Sequence, residues 1–122
     1  MRRVVITGAG TINALAHDVD GTYKALREGR CGIGPLEIRD VDRLSVKIGA
    51  QVRGFDEAAH FNRQQITLYD RFTQFAMIAA RQAMHQSGLE ISGELADRAG
   101  VVFGTSGGGL TTQDENYRAV YE

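Results

Sequence analysis

Two short apolar runs without alternation frame the chain. Arg3-Val4-Val5-Ile6-Thr7 is rich in β-branched residues and ends in Gly8-Ala9-Gly10. Gly100-Val101-Val102-Phe103-Gly104 ends in Thr105-Ser106-Gly107-Gly108-Gly109-Leu110. Runs of this kind predict strands buried on both faces, as in parallel sheets covered by helices. Thr11 to Asp18 reads as loop. Val19, Tyr23 and Leu26 then follow at helical spacing, between Asp18 as N-cap and Gly29 as stop, which predicts a helix from Val19 to Glu28. The stretch from Arg30 to Leu44 contains Gly32, Gly34 and Pro35, has no clean period, and reads as a long surface connection. From Lys47 to Arg53 the chain alternates, with Ile48, Ala50 and Val52 on one side. That predicts a half-exposed strand at an edge or in a small hairpin.

The strongest helical pattern comes next. Leu68, Phe72, Phe75, Ala79 and Ala83 share one face, with Ala76, Ala80 and Met84 beside them. So wide a stripe predicts a mostly buried helix. Asp70 is its expected N-cap, after a short turn at Arg63 to Thr67. Gly88 is the expected C-terminal residue, with Leu89 placed for the hydrophobic contact of a Schellman motif. The alanines at 76, 79, 80 and 83 leave room for a neighbour to approach closely. Thr112 and Glu115 have capping-box spacing, and Tyr117, Val120 and Tyr121 begin a further apolar face.

The order of these elements predicts an α/β fold. Two parallel strands of the buried type need cover on both faces and partners at both edges. The chain offers two complete helices, one interrupted helix and one alternating strand, and it has no internal repeat. It therefore reads, over residues 1–122, as an incomplete first part of a larger α/β domain.

Composition narrows the picture. Length corresponds to one domain, and 14 Lys and Arg against 15 Asp and Glu leave a net charge of −1. That balance argues against a nucleic-acid partner or a polybasic membrane anchor. No apolar run has the length of a membrane span or a secretory signal, so the expected location is cytoplasmic. A single cysteine, Cys31, excludes an internal disulfide and a multi-cysteine zinc site. Glycine is in excess, 15 residues where an average of about 7% gives roughly nine. The surplus points to close backbone packing or to ligand loops.

The candidate chemistry is sparse. Gly8-Ala9-Gly10 after a strand begins like a dinucleotide-binding turn. Asn13 replaces the third glycine, however, and the helix starts some eight residues later rather than at once. No tyrosine is followed by lysine at Tyr-x-x-x-Lys spacing, so a tight turn is the favoured reading. Gly107-Gly108-Gly109 lacks the Lys-Ser/Thr of a phosphate loop, because Leu110 follows it. Those glycines suit close approach of a backbone or an uncharged ligand. Cys31 follows a helix C-terminus, whose partial negative charge opposes thiolate formation. His17, His60 and His85 are dispersed. Asp40 and Asp42 begin like a calcium loop, but Leu44 replaces an oxygen ligand. Residue spacing alone therefore defines no reaction and no metal site.

The whole chain resembles the N-terminal portion of the β-ketoacyl-acyl-carrier-protein synthases, the decarboxylating condensing enzymes. The matching pieces are Arg3 to Gly10, Leu26-Arg27-Glu28-Gly29-Arg30-Cys31-Gly32-Ile33, Asp70-Arg71-Phe72, Ala83-Met84-His85-Gln86-Ser87-Gly88-Leu89 and Gly104 to Leu110. The details are most similar to the class II, chain-elongating type, including relatives in polyketide and nodulation-factor synthesis. One departure is Asn13-Ala14-Leu15-Ala16, where the family commonly has Ser-Pro and then glycine.

The resemblance implies a thiolase-like fold of two similar α/β halves, usually in a homodimer, and an acyltransferase that uses no cofactor. It implies acyl carrier protein and acyl and malonyl thioesters as partners, in fatty-acid or related polyketide synthesis. It also implies that the catalytic cysteine and two histidines lie downstream, so that this segment holds no catalytic residue and Cys31 lies outside the active site. Gly107, where class II enzymes often carry a bulky aliphatic residue, and Leu110 match positions on the acyl-tunnel wall. Two alternatives stay open at this point. One is a non-catalytic, chain-length-factor-like partner subunit, and the more distant one is a truncated nucleotide-binding oxidoreductase.

Overall fold

A computed structural model describes residues 3–121. In chain order the elements are helix α1 (Val19–Arg27), strands β1 (Ile33–Pro35) and β2 (Ile48–Ala50), and helices α2 (Arg63–Leu68), α3 (Arg71–Ser87), α4 (Glu94–Arg98) and α5 (Leu110–Tyr121). Short 3-10 turns occupy Val41–Arg43 and Glu57–Ala59.

Local chemistry sets the helix ends. At α1, the Asp18 carboxylate accepts the Gly21 N–H at 2.6 Å, and Gly29 leaves the helix at φ 65°. Ala25, on its inner face, is fully buried. At α3, Asp70 accepts the Phe72 N–H at 3.2 Å and Gly88 closes the helix at φ 62°. The Schellman contact expected of Leu89 does not form. Its N–H takes the Ser87 hydroxyl at 3.1 Å and its side chain remains exposed. The turn expected at Arg63–Thr67 is the helix α2, closed by a full capping box between Asn62 and Gln65.

The sheet differs from the sequence-based expectation. Its strands are antiparallel, with Ile33 opposite Ala50, Gly34 opposite Gly49 and Pro35 opposite Ile48. β2 lies within the alternating stretch and belongs to a small hairpin-like pair, as expected. β1 lies in what reads as surface connection. The buried parallel strands expected at Arg3–Thr7 and Gly100–Gly104 are not formed. Both segments are unpaired among the described residues and open to solvent, Val4 at 96% and Val102 at 100% exposure. A strand exists through its ladder, and no described strand lies beside either run to supply one.

The core gathers on α3. Its most buried side chains are Ile78 and Gln74, at 6% and 3% exposure, rather than the expected stripe from Leu68 to Ala83. Leu68 falls in α2, before the break at Tyr69, and is exposed. The buried Gln74 amide donates to the Tyr69 carbonyl at 2.9 Å, while its Oε1 is buried without a hydrogen-bond partner among the described residues. Phe55 packs edge-on to Phe75 at 5.1 Å, His60 stacks on Phe55 at 5.8 Å, and Phe61 meets Tyr69 at 6.2 Å. This aromatic layer seats the segment around residues 55–61 on α3.

The exposed runs have a consequence in solution. Val4 to Ile6 and Val101 to Phe103 combine apolar side chains with unpaired backbone, the combination that templates edge-to-edge association. Sedimentation velocity is expected to show concentration-dependent association of the purified chain. A monodisperse monomer over a hundredfold concentration range would contradict that expectation.

Candidate functional site

The first glycine turn is a packing device. A Cβ on Gly8 would overlap the Ala83 carbonyl oxygen of α3, and one on Gly10 would overlap that of Ala79. The alanine face of α3 therefore receives the backbone of residues 8–10 directly, the close approach that the run of alanines predicts. The amides a pyrophosphate would use are already engaged. Ala9 N–H donates to Gln86 Oε1 at 2.6 Å and Thr11 N–H to Gln82 Oε1 at 3.0 Å, while Gln82 Nε2 donates to the His17 carbonyl at 2.6 Å. The turn packs on α3 and spends these amides on glutamine side chains, which favours the tight-turn reading over a dinucleotide-binding one. Gln82 and Gln86 were legible only as polar neighbours, one turn apart, of Ala79 and Ala83.

The second glycine loop lies elsewhere. Gly107 has φ 154°, and a Cβ there would meet nothing within 4 Å. Gly108 faces the Phe72 ring so closely that a Cβ would come within 2.6 Å of it. Gly109, at φ 77°, leads into α5, where its carbonyl accepts the Gln113 N–H at 2.9 Å. Helix α5 therefore begins at Leu110, ahead of the expected Thr112–Glu115 capping box. The Thr112 hydroxyl instead donates to Asp70 Oδ2.

Leu110, 68% exposed, stands on the rim of a groove of about 790 Å³. Ile38, Val52, Arg71, Phe75 and Asp114 also line this groove, which runs between the β2 segment, the start of α3 and the first turns of α5. Arg71 is fixed there. It donates to the Val52 carbonyl at 3.0 Å, and its guanidinium lies 5.6 Å and 5.4 Å from the Phe55 and Phe75 ring centres. The structure thus places Leu110 on the groove and leaves Gly107 outside it.

The remaining candidates lie off this groove. Cys31 is an exposed free thiol. His17 Nε2 lies 2.9 Å from the Arg53 carbonyl and the His60 ring is stacked on Phe55. Asp40 pairs with Arg118 at 3.2 Å and Asp42 with Lys47 at 3.6 Å, so both acids of the calcium-like start face cations of the chain. Among the described residues, no group of three or more His, Cys, Asp or Glu is placed to hold a metal ion, and no helix is long and apolar enough to cross a membrane.

Residues 1–122 match the family model described as the beta-ketoacyl synthase, N-terminal domain. Among curated proteins, the chain is 41% identical over 119 residues to the 3-oxoacyl-[acyl-carrier-protein] synthase 2 of Coxiella burnetii. It is 39% identical to nodulation protein E of a Rhizobium species and 35% identical to the synthase 2 of Vibrio cholerae. These matches cover 98%, 98% and 99% of this chain, which spans 29% of the length of each relative. On this full-length match, the chain belongs to the β-ketoacyl synthase N-terminal domain family, whose fold is thiolase-like.

Proposed function

We propose that this chain is the N-terminal segment of a decarboxylating condensing enzyme that elongates acyl groups on acyl carrier protein with malonyl units. The observation that carries the proposal is the match over 98% of the chain, at 41% identity, to a protein named as a 3-oxoacyl-carrier-protein synthase. The chemistry is that of the family it resembles. A cysteine displaces the carrier thiol from an acyl thioester. A malonyl thioester then loses carbon dioxide, and its carbanion attacks the acyl-enzyme carbonyl and releases the cysteine thiolate. Two histidines assist decarboxylation and stabilise the oxyanion. All three residues belong to the downstream part of such an enzyme. The expected setting is a cytoplasmic homodimer.

Within that assembly this segment contributes scaffold and substrate wall. The exposed runs Val4–Ile6 and Val101–Phe103 have the apolar character of central parallel strands, which downstream strands would pair and helices cover. Gly107 and Leu110 are assigned to the wall of the acyl tunnel. The groove beside Leu110 sets Ile38, Val52 and Phe75 among the charged side chains of Glu37, Arg39, Arg71, Asp114 and Glu115, so only part of its lining suits an apolar ligand.

The chain by itself is expected to show no turnover. Assayed with malonyl-carrier protein and an acyl-carrier donor, the purified chain should release carbon dioxide and transfer acyl groups no faster than the carriers alone. Turnover above that background would mean that the nucleophile lies within these 122 residues.

A further inference from the structure

Asp70 uses each of its two carboxylate oxygens for a different element. Oδ1 caps α3 by accepting the Phe72 N–H at 3.2 Å. Oδ2 accepts the Thr112 hydroxyl in the first turn of α5, 42 positions away in sequence. The neighbouring surfaces fit the same junction. Phe72, in the first turn of α3, fills the space left by the missing side chain of Gly108, and a Cβ on Gly109 would lie 3.8 Å from Asp70 Oδ2.

Burial does little to hold α5 in place. Leu110, Tyr117, Val120 and Tyr121 are all exposed. Among the described residues, a further long-range polar tie lies at the far end, where Arg118 reaches Asp40 at 3.2 Å. The Asp70–Thr112 contact is therefore the polar tie at the near end, beside the packing of Phe72 on Gly108, and acts on the glycine loop that leads into α5.

We propose that Asp70 is a positioning residue that holds the loop from Thr105 to Gly109 against α3, and that through this loop it sets which acyl chains the site accepts. The second half rests on the functional reading above. The first half stands on the geometry of this chain alone.

Three variants separate the two jobs of Asp70. Asp70→Ser keeps an N-cap oxygen but cannot also reach Thr112. Thr112→Val removes the hydroxyl at nearly constant shape, and Thr112→Ser keeps it. Amide hydrogen exchange is read on the chain as it stands. Exchange in residues 105–113 should quicken about ten- to a hundredfold in Asp70→Ser and Thr112→Val, the size of one hydrogen bond to a charged acceptor. Protection of α3 should be unchanged, and Thr112→Ser should behave like the parent.

In the full-length enzyme, Asp70→Ser and Thr112→Val should shift the ratio of long-acyl to short-acyl kcat/KM by about tenfold, with short chains unaffected. Unchanged exchange in Thr112→Val would overturn the positioning role, as would equal effects of the Val and Ser variants. Quickened exchange without a shift in the acyl-length ratio would overturn the specificity role. A full-length parent that transfers no acyl group would overturn the functional reading instead, while exchange on the chain would still decide the positioning role.

Discussion

Gly10→Ala is expected to destabilise the chain by about 2–3 kcal/mol, and Gly8→Ala by a similar amount. The added methyl at position 10 would overlap the Ala79 carbonyl oxygen and lie 2.8 Å from its carbon and 2.9 Å from Gln82 Cβ. At position 8 it would overlap the Ala83 carbonyl oxygen and lie 3.0 Å from the Ser87 nitrogen. Most of these atoms are helix backbone, held by the hydrogen bonds of α3, so they cannot yield as a flexible side chain would. The loop must retreat instead. Retreat stretches the hydrogen bonds from Ala9 to Gln86 and from Thr11 to Gln82, each worth about 0.5–1.5 kcal/mol net. Gly100→Ala is the control, since a Cβ there meets nothing within 4 Å and the backbone needs no positive φ. Denaturant midpoints at constant m-value provide the comparison. A Gly10→Ala midpoint equal to that of Gly100→Ala would show that the turn does not rest on α3.

Gly107→Ile in the full-length enzyme should slow transfer of long acyl chains by about ten- to a hundred-fold relative to Gly107→Ala, with the two variants alike on short chains. Two effects meet at this position, and the pair of variants separates them. The backbone stands at φ 154°, which any side chain strains at a cost of about 1–3 kcal/mol, whatever space surrounds it. Alanine and isoleucine both bear that strain, and it harms every substrate alike. Only isoleucine adds bulk. If residue 107 faces the acyl tunnel, the extra side chain must be accommodated by every acyl chain that reaches it. Overpacking of that size costs about 1–3 kcal/mol, which sets the expected range in rate. The decisive quantity is the Ile-to-Ala rate ratio for long and for short acyl carriers, with melting temperatures measured alongside. The same ratio at both lengths would remove Gly107 from the acyl path and leave its glycine explained by backbone conformation alone.

The cap signals of α1 and α3 reappear in the structure, while strand signals that need a distant partner do not. Asp18 and Gly29 bound α1, and Asp70 and Gly88 bound α3, because a cap is chemistry between residues two or three apart. The alanines of α3 foretold a close neighbour, though not which segment would fill the place. β1 was illegible because Ile33-Gly34-Pro35 carries no pattern of its own and exists only through pairing with β2, fifteen positions on. Helix α4 follows Gly93, which supplies no side-chain cap, so it had no start signal to read. The Thr112–Glu115 box failed because α5 already starts at Leu110, which puts Thr112 inside the helix rather than at its N-cap. The two buried-type strands have the composition of central strands without the ladder that would make them so. Of the two site residues named from the resemblance, Leu110 borders the groove and Gly107 does not. The part of Asp70 that reaches Thr112 lay beyond any spacing rule.

The central claim is that these residues form a working N-terminal segment of a condensing enzyme. The most direct measurement replaces the matching N-terminal 29% of the Coxiella burnetii synthase with this chain and assays acyl transfer and malonyl decarboxylation by the purified chimera. The account predicts condensation clearly above the carrier-only background, with the 122-residue chain alone at background. A chimera that melts cooperatively like the parent synthase yet neither transfers acyl groups nor decarboxylates malonyl-carrier protein would contradict it.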